Sequence, residues 1–279
     1  MSQLNPPRIL TIAGSDSGGG AGIQADLKTI AALGGHGMSA ITALTAQNTI
    51  GVSLIEPVSV DMVSAQIDMV AEDIGVDAAK IGMLADGNIV RVVAAALERN
   101  RIEKVVVDPV LRSTTGADLG GEAVRDAIIA RLFPLAALIT PNLHECGVLL
   151  GEVVERREQM AAAALRLIEM GCSAVLLKGG HLPDAGDEEE VIADLLMTAD
   201  GVKQWFEHAR ISTRNVHGTG CTLSAAIATY LGRDLPLVEA VEHGIGYVQG
   251  AIAAGVGLRL GQGAGPLWHA WVRDAKKSG

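Results

Sequence analysis

Short apolar runs alternate with amphipathic stretches along the first two thirds of the chain. The runs at residues 8–13, 39–43, 78–81, 104–107, 136–139 and 174–177 are rich in β-branched residues and read as strands. Between them, residues 22–33, 59–74, 88–99, 121–132, 142–149 and 158–170 read as helices. Runs such as Val105-Val-Val107 show no polar alternation, the pattern of a strand covered by helices on both faces. Repeated strand–helix units of this kind predict an α/β fold with a mostly parallel central sheet.

The rhythm changes after Lys178. Asp184 to Glu190 holds five acids in seven residues and reads as a solvated loop. Residues 191–198 and 204–211, separated by Ala-Asp-Gly, form a hairpin pattern added to the sheet. Helices are expected at 221–231, 235–254 and 266–276. No linker, low-complexity tract or internal repeat divides the chain, so one domain over residues 1–279 is expected.

Composition narrows the picture. Apolar residues make up 49% of the chain but aromatics only 3%, so Ala, Val, Ile and Leu must build the core. A net charge of −10 argues against a nucleic-acid surface. The three cysteines, Cys146, Cys172 and Cys221, have no Cys-x-x-Cys spacing, which disfavours a disulfide framework or a structural zinc site. The N-terminus lacks the features of a signal peptide, and no apolar run reaches the roughly 20 residues of a membrane helix. A cytoplasmic protein without a membrane partner is expected.

Candidate chemistry gathers where strands end, the position at which open α/β sheets bind ligands. In Asn215-Val-His-Gly-Thr-Gly-Cys-Thr-Leu-Ser-Ala-Ala226, Gly218 and Gly220 precede Cys221 at the start of an apolar helix. Converging N–H groups and a helix N-terminus suit a phosphate, and that setting favours the thiolate form of a cysteine. An ordinary glycine turn with a packing cysteine explains the local pattern equally well.

After the first strand, Ala13-Gly-Ser-Asp-Ser-Gly-Gly-Gly-Ala-Gly-Ile-Gln-Ala-Asp26 contains a Gly-x-Gly-x-x-Ala run. No acid occurs from Leu27 to Ile55 to hold a ribose, which argues against a nicotinamide dehydrogenase. A substrate loop or a flexible crossover remains. Asp26 either points into the site or serves the helix N-terminus. Gln47 could read a heterocycle edge or cap a turn, and Met83 could wall an aromatic ring or pack in the core.

Asp108, Glu145 and Lys178 end further strands. Carboxylates of this kind suit Mg²⁺ held largely through water, and the lysine suits a nucleotide phosphate. No Walker-type run occurs, so a P-loop enzyme is excluded. These parts meet the needs of phosphoryl transfer, with Cys221 as the base candidate. A cysteine-nucleophile hydrolase would need a partner for Cys221; His217 is close in sequence, but no orienting group can be assigned.

At this point six segments match a known family in order: residues 13–28, Ile41-Thr-Ala-Leu-Thr-Ala-Gln-Asn48, Val107-Asp-Pro-Val110, Thr140-Pro-Asn-Leu-His-Glu145, Lys178-Gly-Gly-His181 and His217-Gly-Thr-Gly-Cys-Thr-Leu-Ser-Ala225. The chain resembles the hydroxymethylpyrimidine (phosphate) kinases of thiamine biosynthesis, in the ribokinase-like superfamily. The resemblance implies a three-layer α/β/α sandwich. It also implies ATP-dependent phosphorylation of 4-amino-5-hydroxymethyl-2-methylpyrimidine and then of its monophosphate.

By motif position, Gln47 would bind the pyrimidine, with Asp26, Gly14, Met83 and Val110 around it. Gly218 and Gly220 would form the anion hole, with Cys221 as base. Lys178, Asn142 and Thr219 would serve ATP, and Asp108 and Glu145 would serve Mg²⁺. Homodimers are typical of the family. Val216 stands where relatives often carry Thr, a change that could alter loop order or nucleotide contacts. The family grades into pyridoxal kinases, which keeps pyridoxal as an alternative substrate. A non-catalytic pyrimidine sensor is a second alternative.

Overall fold

The computed structural model describes residues 5–111, 121–180 and 191–272. In chain order the strands are β1 (Arg8–Asp16), β2 (His36–Gln47), β3 (Val52–Pro57), β4 (Ala78–Ile81), β5 (Val105–Val107), β6 (Leu138–Ile139), β7 (Ala174–Leu177), β8 (Val191–Thr198) and β9 (Lys203–Ala209). The helices are α1 (Gly22–Ala32), α2 (Val60–Asp73), α3 (Gly87–Arg99), α4 (Gly121–Arg131), α5 (Leu143–Leu150), α6 (Arg157–Glu169), α7 (Thr219–Leu231) and α8 (Leu237–Gly255).

All strands join one sheet in the order β3-β2-β1-β4-β5-β6-β7-β8-β9. The six from β2 to β7 run parallel, while β3, β8 and β9 are antiparallel additions at the two edges. The order in which the chain adds strands reverses at β1, whose neighbours are β2 and β4. The chain therefore leaves a crevice beyond the carboxyl ends of β1 and β4, the switch point at which such sheets take ligands.

Alternate residues of the buried strands feed two cores. On one face Leu10, Ile12, Val105 and Val107 pack with Ile67, Val93, Ile128, Leu149 and Leu167 from α2 to α6. On the other, Ile9, Val106 and Leu176 pack with Ile30, Ile227 and Val248 from α1, α7 and α8. This is the three-layer α/β/α arrangement expected of the chain. Burying apolar side chains on both faces explains why these strands carry no polar alternation.

Three differences from the sequence expectation have physical causes. β2 is longer than the expected residues 39–43, because its far end pairs with β3. β3 itself was not anticipated: four of its six side chains are exposed and Pro57 ends it, so it lacks an apolar strand signature. A helix from residue 266 was also expected. Pro266 instead bridges to His217, and residues 267–270 are not helical. The acidic stretch from Asp184 to Glu190, His181, and residues 273–276 lie outside the described residues.

Candidate active site

The loop after β1 is built around Asp16. Its Oδ1 accepts from the Gly18 N–H at 2.8 Å, and its Oδ2 from Gly20 and Ala21 at 3.0 and 2.8 Å. His217 Nε2 reaches the same Oδ2 at 3.0 Å. Burial pushes the Asp16 carboxyl up, but the His217 and backbone hydrogen bonds outweigh it and hold the group below its ordinary value. A loop of small residues is thereby tied to the segment that precedes α7.

That segment forms the cradle. Gly218 sits at the N-cap of α7 with φ 87°, a left-handed conformation that favours glycine. A Cβ there would overlap the Gly20 carbonyl oxygen. Gly220 lies in the first turn, and a Cβ on it would stand 3.3 Å from both Asp108 Oδ2 and Lys178 Nζ. The Thr219 hydroxyl donates to the Val216 carbonyl at 2.7 Å, so the turn closes without a side-chain hydroxyl at position 216. Backbone donors of a helix start thus open beside a lysine and a carboxylate.

Asp108 follows β5, and its Oδ1 accepts from Lys178 Nζ and from the Thr140 hydroxyl, both at 3.1 Å. Burial alone would lower Lys178, but the Asp108 and Glu145 carboxylates hold it above its ordinary value. Asn142 and Glu145 form a capping box at the start of α5: Asn142 Oδ1 accepts from the Glu145 N–H, and Glu145 Oε2 from the Asn142 N–H, each at 2.8 Å. Burial, with Asp108 adding to it against the pull of Lys178, pushes the Glu145 carboxyl up to about 7. Two carboxylates beside one ammonium can accommodate a divalent ion that keeps most of its other ligands as water or phosphate. Among the described residues no group of three or more His, Cys, Asp or Glu forms a protein-only metal cage.

At Cys221 the structure departs from the sequence reading. The helix start was expected to favour its thiolate, yet the thiol is pushed up to about 11. Burial is the main cause, and Asp26 and Asp108 add to it, while Lys80 and the Gly22 N–H pull the other way. Desolvation and the two carboxylates outweigh the Lys80 ammonium and the Gly22 N–H.

Asp26 departs from the expected pocket position as well. It does not line the cavity but lies fully buried behind it, with Oδ2 accepting from Lys80 Nζ at 2.9 Å and from the Thr11 hydroxyl at 2.6 Å. Its Oδ1 has no partner among the described residues. Burial would lower the Lys80 ammonium, but Asp26 and the neighbouring anions hold it up.

All the other expected site residues line one cavity of about 1090 Å³. Gly14, Gln47, Met83 and Val110 line it together with Gly218, Thr219, Gly220, Cys221, Asp108, Asn142, Glu145 and Lys178. Gly14 donates to the Met83 carbonyl at 3.1 Å, across the switch point. Gln47 Nε2 lies 3.4 Å from His217 Nε2.

Sequence reasoning did not single out Asp16, Lys80, Asp194, His208 or Gln249, all of which line the same cavity. Lys80 lay inside an apolar strand, and the one available signal was a lysine in a run otherwise buried on both faces. His217 was considered only as a partner for Cys221; its Nε2 is taken by Asp16.

A parallel sheet with antiparallel edges, crossed at its switch point by a glycine cradle, a lysine and two carboxylates, is the architecture of a ribokinase-like fold. The chain belongs to the phosphomethylpyrimidine kinase family, whose model matches residues 16–268. It is 46% identical over 274 residues to the hydroxymethylpyrimidine/phosphomethylpyrimidine kinase of Salmonella typhimurium, covering 97% of this chain and 100% of that one. A solved phosphomethylpyrimidine kinase of Clostridium difficile superposes with a TM-score of 0.76 at 39% identity, covering 88% of this chain and 99% of that one. The pyridoxal kinase of Bacillus subtilis, solved as an ADP complex, superposes with a TM-score of 0.85 at 33% identity over 96% of this chain and 99% of that one. No helix among the described residues is long and apolar enough to cross a membrane.

Proposed function

We propose that this protein is a bifunctional hydroxymethylpyrimidine and phosphomethylpyrimidine kinase. It transfers a phosphoryl group from ATP first to the hydroxymethyl oxygen of 4-amino-5-hydroxymethyl-2-methylpyrimidine, and then to the phosphate of the monophosphate. The observation that carries this reading is the meeting of Gly220, Asp108 and Lys178 within a few ångströms at the start of α7. Family membership and close relatives named for the same two activities support it.

In this reading Gln47 binds the pyrimidine, with Gly14, Met83 and Val110 forming its pocket. The Gly218–Gly220 backbone receives charge developing on the transferred group. Lys178, Asn142 and Thr219 position the nucleotide phosphates. Asp108 and Glu145 would hold Mg²⁺, which neutralises phosphate charge when bound. Cys221, as the thiolate that the Lys80 ammonium favours, takes the proton of the attacking hydroxyl and becomes the thiol. One domain over residues 1–279 carries the activity, in the cytoplasm and as a homodimer.

Incubation with the hydroxymethylpyrimidine, ATP and Mg²⁺ tests the proposal. Successive appearance of monophosphate and diphosphate is expected. Rapid phosphorylation of pyridoxal with no turnover of the pyrimidine would instead assign a pyridoxal kinase. Pyrimidine binding without ATP consumption would assign a sensor.

A further inference from the structure

Residues 266–270 do not form the expected helix start, and the chain here lies along the cradle instead. The His217 N–H donates to the Gly265 carbonyl at 3.0 Å, and the Gly265 N–H to the Arg214 carbonyl at 3.2 Å. Pro266 pairs with His217 in a parallel bridge. Just beyond the cradle, Thr222 Oγ1 meets His269 Nε2 at 2.9 Å. Gly218, Thr219, Gly220 and Cys221 are thus held between two attachments, at His217 and at Thr222, to one stretch of chain.

The Thr222–His269 contact is closed to water, with Thr222 0% and His269 5% exposed. Burial, with the Lys28 ammonium adding to it, pushes the His269 ring down to about 4, so it is uncharged at neutral pH. A neutral imidazole and a hydroxyl can each donate to the other, so the contact holds in either tautomer. Other buried hydroxyls of α1 and α7, those of Thr29, Ser224 and Thr229, donate to the carbonyl four residues back. Thr222 is turned to His269 instead. The far side is anchored on α8: the Tyr247 hydroxyl donates to the His269 carbonyl at 2.8 Å, and the Trp268 N–H to the Ala251 carbonyl at 3.1 Å.

The Thr222 N–H donates to the Gly218 carbonyl at 2.8 Å, which closes the turn that carries the cradle's own donors. Such donors work only where charge develops on the transferred group, and misplacement by about 1 Å costs on the order of a hundredfold. We propose that His269, acting through Thr222, is a positioning residue for the phosphoryl-transfer cradle, with the His217–Gly265 contact as the second brace. Neither Thr222 nor His269 lines the cavity, so the effect is on the cradle and not on substrate contact. The inference rests on the kinase reading above. One cradle serves both transfers, so loss of the brace slows both, unlike the loss of a base.

Initial rates of both transfers test this for the wild type, His269→Ala, His269→Gln, Thr222→Val and the double variant His269→Ala, Thr222→Val. His269→Ala and Thr222→Val are each expected to lower kcat for both transfers roughly ten- to a hundredfold, with the KM for the pyrimidine little changed. The double variant should lose no more than the worse single one, because the two side chains serve one contact. His269→Gln, which returns a polar atom toward Thr222, should recover most of kcat. Thr222→Val keeps the shape of the side chain and carries the comparison if His269→Ala fails to fold.

Hydrogen–deuterium exchange without substrates accompanies the rates. The peptide covering residues 216–223 should exchange faster in His269→Ala and Thr222→Val, and one from α3 should not. Folded variants with the wild-type kcat would overturn the inference. So would losses confined to the first transfer or to KM, additive losses in the double variant, or equal losses in His269→Gln and His269→Ala. A wild type that leaves the pyrimidine unphosphorylated would overturn the kinase reading instead. Exchange would still judge His269, since an unchanged cradle peptide would deny it the bracing role.

Discussion

Asp16 and His217 lie 201 positions apart and meet through a 3.0 Å contact between Oδ2 and Nε2. The pair joins the glycine-rich loop after β1 to the cradle before α7, and His217 lies beside Gln47. Two segments far apart in the chain are thereby held in register across the switch point.

The Asp16 carboxyl is held below its ordinary value by His217 and backbone N–H groups despite its burial. A carboxylate with a lowered folded-state pKa adds stability that is complete above its unfolded value, near 4. That stability is lost as the pH falls from there through the folded value. Asp16→Asn should therefore cost about 1–3 kcal/mol at pH 7. The gap from wild type should narrow in acid. Urea melts at pH 7 and below pH 4 measure both; a gap independent of pH would remove the charge from this account.

Lys80 and Asp26 form an ion pair with both side chains fully buried. Removing one partner leaves an uncompensated charge, so Lys80→Met should destabilise the protein by about 3–5 kcal/mol. The double variant Lys80→Met, Asp26→Leu should recover most of that loss. Alkylation of Cys221 by iodoacetamide should rise with pH toward about 11 in the wild type. It should be slower in the double variant if loss of the cation outweighs loss of the anion. Denaturant titration and mass mapping of the alkylated cysteine report the two effects separately.

The two phosphorylations make different demands on Cys221. A hydroxymethyl group must lose a proton to attack, whereas a phosphate monoester, with its second pKa near 6, is already an anion at neutral pH. Cys221→Ala should slow the first transfer by roughly a hundredfold or more. The second should change far less, and pyrimidine binding should persist. Phosphorus NMR of reactions started from the alcohol or from the monophosphate distinguishes the steps. Equal losses would deny Cys221 a base role.

Glu145, pushed up to about 7, is partly protonated at neutral pH before a cation arrives. A cation binds the ionised carboxylate, so apparent Mg²⁺ affinity should increase as the pH rises through about 7. Glu145→Gln should weaken Mg²⁺ roughly tenfold and flatten that dependence. Rates across a Mg²⁺ titration at pH 6 and pH 8 provide the check. An unchanged pH profile in Glu145→Gln would assign the dependence elsewhere.

Much of the architecture was legible in the chain itself. Apolar runs without alternation report strands covered on both faces, which is why β4 and β7 match their expected limits. Gly218 was legible because only a residue without Cβ fits a left-handed turn against another backbone. Edge strand β3 was not, since exposure on most of its side chains removes the apolar signal.

What the sequence determined by itself was the local chemistry: strand and helix periodicity, a glycine cradle at a helix start, and polar groups at strand ends. Only the tertiary structure decided which of those groups share an environment. It drew Asp26 behind the cavity onto Lys80 and turned His217 toward Asp16. It also raised the Cys221 thiol where the helix start alone would have lowered it. The physical reason is that desolvation and charge–charge terms depend on distance in space, and residues far apart in sequence set them. Periodicity is local, whereas the electrostatics of a site belong to the fold.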